Sequence, residues 1–230
     1  MPSLPTMLLV HSPLLTCATW DAVRPWFAAA GWRVVVPDLR PVIDAPSFYA
    51  AACATAAADV PAGAPTVIVG HSRAGAYLPG IAEAVGGDRL TVVFLDARLP
   101  YPGTSWVGSM PPERAAWLRR MAGSGRLPAW HTWFPEDPLD ELLPDPDQRR
   151  RVLDGMPELP WRVVTEVLPA AGGAWESARR VYLQLSEAYR GTGDEAEERG
   201  YLVRRRNADH LAMVTRPGMV TELVLATLAD

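Results

Sequence analysis

Residues 66–75 read Thr-Val-Ile-Val-Gly-His-Ser-Arg-Ala-Gly, and no other stretch of the chain restricts its fold so tightly. Thr, Val and Ile favour pleated, half-buried backbone, and here they run into Gly70-His71-Ser72-Arg73-Ala74 with an alanine-rich helical stretch directly behind. A strand joined to a helix without a linker requires a sharp turn, with Ser72 at its apex. Small residues are needed around it, because the apex backbone is strained and strand and helix approach closely. A bare Gly-x-Ser-x-Ala string is common by chance; the strand before it and the helix after it make this one informative.

The surrounding pattern extends the same architecture. Met7 to His11 is a continuous apolar run, as a strand buried on both faces requires. Thr19 to Ala30 reads as an amphipathic helix closed by Gly31, Arg33 to Pro37 as a strand, and Ser47 as the cap of a helix through Ala58. Thr66 to Gly70 is the strand of the turn and Ala74 to Val85 its helix, stopped by Gly86-Gly87. Leu90 to Leu95 is a strand ending at Asp96. Strand order resumes at Arg180 to Leu185, followed by a polar helix near Asp194 to Arg199, the strand Tyr201 to Arg205 and a helix opened by Pro217. This alternation predicts an α/β fold with a doubly wound, mostly parallel sheet.

The alternation fails between Tyr101 and about Gly173, where the chain is rich in Pro, Trp and acidic residues, with short helical stretches such as Glu113–Met121 and Asp147–Leu153. The expected organisation is a core of residues 1–100 and 174–230 with an inserted helical lid at 101–173. That region and its margin hold Trp106, Trp117, Trp130, Trp133, Trp161 and Trp175, most of the chain's 9 tryptophans. They can build a small core of their own or an apolar pocket against the sheet; Trp106, Trp130 and Trp133 are the expected substrate contacts.

Composition removes several function classes. At 230 residues and net charge −4 the chain offers no basic field for nucleic acid. All 22 basic residues are Arg, which excludes a lysine Schiff base. Cys17 and Cys53 give neither a disulfide framework nor metal-ligand spacing, and no apolar run approaches membrane-spanning length. No metal and no cofactor are expected, and the cytoplasm is the expected location.

A serine hydroxyl needs a base to take its proton. Of the 4 histidines, His11 ends a strand, His71 sits beside Ser72 but points elsewhere by strand geometry, and His131 lies between Trp130 and Trp133. His210, in Asn207-Ala208-Asp209-His210-Leu211, follows the final strand and falls on the same sheet edge as Ser72; it is the expected base. The carboxylate that orients it is Asp96, at the end of the next strand, or Glu187 in the loop after Arg180–Leu185, unless the pair works without one. Asp209 adjoins the histidine too closely to face it. The backbone N–H of Arg73 is one expected oxyanion donor, and the loop His11-Ser12-Pro13-Leu14-Leu15 should supply the other.

With Val10-His11-Ser12, Trp20, Val36-Pro37-Asp38-Leu39, Gly70-His71-Ser72 and Ala208-Asp209-His210 in place, the chain resembles the α/β-hydrolase superfamily. It is most similar to the branch of plant methylesterases and hydroxynitrile lyases and to actinomycete hydrolases. It departs from that pattern in three places. The usual His-Gly is His11-Ser12, the usual second oxyanion donor is Pro13, which has no N–H, and the branch's acid position is Ala188. A missing donor costs roughly 3 kcal/mol of transition-state stabilisation, so either Leu14 N–H substitutes or the acyl group is already activated, as a thioester is. The resemblance therefore implies acyl transfer through Ser72 from an ester or carrier-bound thioester of an apolar or aromatic acid. Acyl-transferring members of natural-product pathways, including indolyl transfer in nosiheptide-type thiopeptide assembly, have this size. Arg149-Arg150-Arg151 could meet an acidic carrier or simply form a solvated helix face, and a peptide is a candidate acceptor. The rivals are a carboxylesterase, a cofactor-free lyase and a non-catalytic binding protein.

Overall fold

The computed structural model describes residues 4–228. Its strands are β1 (Thr6–Val10), β2 (Arg33–Val35), β3 (Thr66–His71), β4 (Leu90–Leu95), β5 (Arg126–Leu127), β6 (Leu159–Pro160), β7 (Arg179–Gln184) and β8 (Leu202–Arg205). Six of them form one sheet in the order β2-β1-β3-β4-β7-β8, every pairing parallel, while β5 and β6 form a separate antiparallel pair. This is the α/β-hydrolase fold, as the sequence implies.

Period-two alternation divides the central strands between two cores. Leu8, Val10, Ile68, Val92 and Phe94 face one cluster, which contains Phe48, Ala52 and Ile81 from the helices Phe48–Ala57 and Leu78–Val85. Met7, Leu9, Val67, Val69 and Val93 face the other, with Phe27 and Val220 from the helices Arg24–Ala29 and Pro217–Ala226. A parallel sheet must be covered on both faces because its crossovers carry the helices there. The chain leaves β1 toward β2 on one side and β3 on the other, so the sheet's switch point lies between the carboxyl ends of β1 and β3, where ligands of such sheets bind.

Several element boundaries differ from expectation. The helix expected over Thr19–Ala30 is a 3₁₀ turn at Cys17–Trp20 and an α-helix only from Arg24. Pro25 explains this: it suits a first helical turn and has no N–H for an interior one. The helix expected from Ala74 begins as a 3₁₀ segment, Ser72–Tyr77, and becomes α-helical at Leu78 with Pro79 in its first turn. Ser47 caps its helix as expected, accepting from the Ala50 N–H at 3.1 Å.

Between β4 and β7 the chain forms short helices and the β5–β6 pair, and this insert is tied to the sheet domain. Leu118, Leu127, Val163 and Val164 join one sheet core, and Leu139, Leu143 and Val152 the other. Glu166 accepts hydrogen bonds from Ser47 Oγ (2.6 Å) and Tyr49 N (3.0 Å), at the first turn of the Phe48–Ala57 helix, where a carboxylate is favoured. Arg126 and Arg162 both reach Asp44. Among the described residues no helix is long and apolar enough to cross a membrane.

Candidate active site

Ser72 and Asp96 are the non-glycine residues with positive φ among those described, at 57° and 44°. Two left-handed residues at the ends of adjacent strands are strain that the surroundings must hold in place. At Ser72 they do: its carbonyl accepts the Arg98 N–H at 2.9 Å. The close approach falls at Gly75, where a Cβ would lie 2.1 Å from the Arg98 carbonyl oxygen. The turn therefore tolerates Ala74, which is fully buried, because the glycine it requires is one residue later.

Asp96 is completely buried and accepts four hydrogen bonds. Oδ1 takes the N–H groups of Leu185 (2.9 Å) and Ser186 (3.0 Å); Oδ2 takes Ser186 Oγ (2.6 Å) and His210 Nδ1 (2.7 Å). With Nδ1 donating to the carboxylate, the free lone pair of His210 is on Nε2. Of the two acids open in the sequence, Asp96 is the one on His210; Glu187 is exposed and paired with Arg190. These donors replace the hydration that a carboxylate loses on burial.

The His210 ring is packed from two directions. Tyr189 stacks on it with centroids 4.9 Å apart and planes 8° from parallel, and His71 lies 4.4 Å away at 40°. His71 Nε2 donates to the His210 carbonyl at 2.8 Å, so its buried Nδ1 carries a lone pair and burial holds the ring neutral, well below the ordinary histidine range. His11 is also internal scaffolding: Nδ1 donates to the Ser12 carbonyl, Nε2 accepts the Leu39 N–H at 3.0 Å, and burial lowers its pKa to about 4. His131 pairs with Asp137 in the insert. The Tyr189 hydroxyl, 3.5 Å from Ser72 Oγ, is the polar partner of the serine; no hydrogen bond joins Ser72 to the His210 ring. Catalytic hydrogen bonds are often long in free enzymes and tighten with substrate present. Tyr189 and His71 were not among the expected site residues. Tyr189 lies two residues beyond Glu187, and its sequence neighbourhood carries no signal that its ring would stack on His210.

Ser72, His210 and Tyr189 open into a cavity of about 690 Å³ between the sheet edge and the insert. Its far wall is aromatic: Trp106, Trp117, Trp130, Trp133 and Phe134 line it. Trp106 stacks on Trp133 at 6.2 Å, and Trp117 meets Trp133 edge-on. Trp161 and Trp175 lie elsewhere, Trp161 beneath Arg119 and Trp175 against Phe94 and Arg180. Ser12 and Leu14 reach the cavity, whereas Pro13 does not. The Leu14 N–H is turned onto Ser12 Oγ at 3.3 Å, and Leu15 N–H onto the Ser12 carbonyl. Arg73 lies in the cavity wall with its guanidinium 4.5 Å above the Trp106 ring, and burial pushes its pKa down to about 10. A cation–π contact contributes about 0.5–2 kcal/mol, less than the several kcal/mol lost on burying an unpaired ion.

The sequence matches the alpha/beta hydrolase family over residues 7–223. The chain belongs to the alpha/beta hydrolase family. No curated protein sequence matches it. Among solved structures, this hydrolase-family chain is similar to tomato methylketone synthase I (16% identity, TM-score 0.75, 100% of this chain and 99% of that one). It is also similar to an extracellular alpha/beta-hydrolase from a Paenibacillus species (19%, TM-score 0.73, 97% and 98%). A third similar structure is a pyrethroid hydrolase from Sphingobium faniae (20%, TM-score 0.65, 96% of each). At these identities the likeness is one of fold.

Away from the cavity, Cys53 is buried and its thiol is pushed up to about 12, an inert core group. Arg149 and Arg150 are engaged within the insert, with Asp137 and Asp140 and with Asp147 respectively.

Proposed function

We propose that this protein performs serine-dependent acyl transfer through an acyl-Ser72 intermediate. The observation that carries the reading is the 2.7 Å His210–Asp96 hydrogen bond on the same sheet edge as a serine held at positive φ. His210 Nε2 takes the Ser72 proton as Oγ attacks the acyl carbonyl. Asp96 keeps Nδ1 protonated and stabilises the imidazolium that forms. The Arg73 N–H is one oxyanion donor. Pro13 has no N–H and the Leu14 N–H is committed to Ser12 Oγ. The Ser12 hydroxyl, accepting from Leu14, keeps its own proton for the oxyanion and is the second donor in this reading. Collapse of the tetrahedral intermediate expels an alcohol or thiol, protonated by His210. Water or a second nucleophile then takes the acyl group by the same steps in reverse.

The finer reading is an acyltransferase or thioesterase of secondary metabolism handling an apolar or aromatic acyl group, indolyl among them, with a carrier as donor and a peptide as candidate acceptor. The tryptophan-lined cavity supports the aromatic acyl group. Simple ester hydrolysis shares every step as far as acyl-Ser72, and the pyrethroid hydrolase among the similar structures favours it as the second reading.

A fluorophosphonate probe tests the common step: native protein should gain one adduct, on Ser72, and Ser72→Ala none. Absence of an adduct in native protein overturns the mechanism. Presenting an aryl-acyl thioester with and without amine or alcohol acceptors then separates transfer from hydrolysis. Equal loss of the acyl group to water in both counts against transfer.

A further inference from the structure

The mechanism uses the main-chain N–H of Arg73 and leaves its side chain without a task. Arg73 is buried, 8% exposed, and lines the same cavity as Ser72. Its Nε is buried and makes no hydrogen bond, and among the described residues no carboxylate forms an ion pair with it. The buried Tyr77 hydroxyl is the polar side chain that interacts favourably with it. A second guanidinium, that of Arg98, faces the cavity 5.0 Å above the Tyr189 ring, where its charge works against that of Arg73. Among the described residues lining the cavity Asp209 is the one carboxylate, and it is taken, accepting from Leu211 N and from Arg216.

Buried cations are paired as a rule. A concave wall with unmatched positive charge concentrates anions. A planar guanidinium fork matches a planar carboxylate better than a point charge does. The ring of Trp106 fixes where the fork lies, which is the aromatic side of the cavity.

We propose that Arg73 is an anion subsite for the substrate: the molecule attacked by Ser72 carries a second, carboxylate end that docks on the Arg73 guanidinium beside Trp106. Resting on the acyl-transfer reading, this narrows the substrate class to half-esters or half-thioesters of acids that also bear a free carboxylate.

Binding to Ser72→Ala protein, which cannot be acylated, tests the subsite without chemistry. The probes are methyl 4-carboxyphenylacetate and its isosteric amide, methyl 4-carbamoylphenylacetate, titrated by calorimetry. The carboxylate should bind roughly ten- to a hundredfold more tightly than the amide, as hydrogen bonds to a charged group imply. In Ser72→Ala/Arg73→Met that ratio should fall to about one, and Arg73→Lys should restore part of it. Equal affinities in the Arg73-intact protein overturn the proposal, as does a preference that survives Arg73→Met. Should Arg73→Met fail to fold, Arg73→Gln takes its place in the same comparison, with the same outcomes deciding. A ratio measured in inert protein is independent of whether Ser72 labels with fluorophosphonate, so the two readings fail separately.

Discussion

The two walls of the cavity are built on opposite principles. On the sheet side, the buried charge of Asp96 is saturated by four hydrogen bonds, and the ring it holds is clamped between Tyr189 and His71. On the insert side, tryptophan rings stack on one another, and Arg73 reaches over from the turn after β3 to lay its guanidinium on Trp106, its buried Nε unbonded. A saturated polar network has one geometry and suits groups that must be positioned before reaction. An aromatic wall fits by shape and area, and so selects what enters. On the proposed function, the expected division is that the sheet wall governs turnover and the insert wall governs binding.

The largest expected effect is at Asp96. Asp96→Asn should lower kcat by about 10³–10⁴-fold, because the amide no longer enforces the His210 tautomer. Glu187→Gln should leave ester turnover within about twofold, since an exposed pair with Arg190 contributes little. Comparable losses in the two variants would break the assignment of the acid.

The neutral histidines behind the sheet wall make it acid-sensitive. The folded-state pKa of His11 is lowered to about 4 from the ordinary 6.5, so the unfolded chain binds the proton first. Its contribution is complete above the unfolded pKa and lost as pH falls from 6.5 toward 4, on the order of 2 kcal/mol by about pH 5. Urea unfolding at neutral pH and near pH 5 should show a smaller decline for His11→Gln than for wild type. Equal declines would remove His11 as a source.

Tyr189→Phe comes next. Burial raises the phenol pKa, so it stays a neutral donor near Ser72. Its loss should lower kcat about tenfold, the scale of one neutral hydrogen bond, with KM little changed. A purely KM effect would move Tyr189 to the binding wall. A smaller effect than at Tyr189 is expected at Trp133, whose Nε1 donates to the Pro128 carbonyl and whose ring stacks on Trp106. Trp133→Ala should raise KM for aryl esters several-fold and leave kcat near wild type. An equal fall in kcat would show that the insert wall also positions the reacting groups.

Local pattern was enough for the strained turn at Ser72 and for the fold class. The run from Thr66 to Gly75 contains its own strand, turn and helix, and burial on both faces appears directly as unbroken apolar strands such as β1. Asp96 and His210 were legible as residues ending strands on one edge. The choice between Asp96 and Glu187 was not, because it depends on β7 pairing beside β4, which brings the Leu185 and Ser186 N–H groups onto the Asp96 carboxylate. The Tyr189 stack on His210 also joins distant segments through that neighbourhood.

By itself, then, the sequence determined a parallel α/β sheet, a serine at its strained turn and a short set of partners, since those depend on residues within a turn or two of one another. Only the tertiary structure decided which acid holds His210, that four insert tryptophans face the cavity while two pack elsewhere, and that the Arg73 guanidinium is buried without a carboxylate. Each of these is a contact between segments far apart in the chain, set by strand order and by where the insert folds back on the sheet.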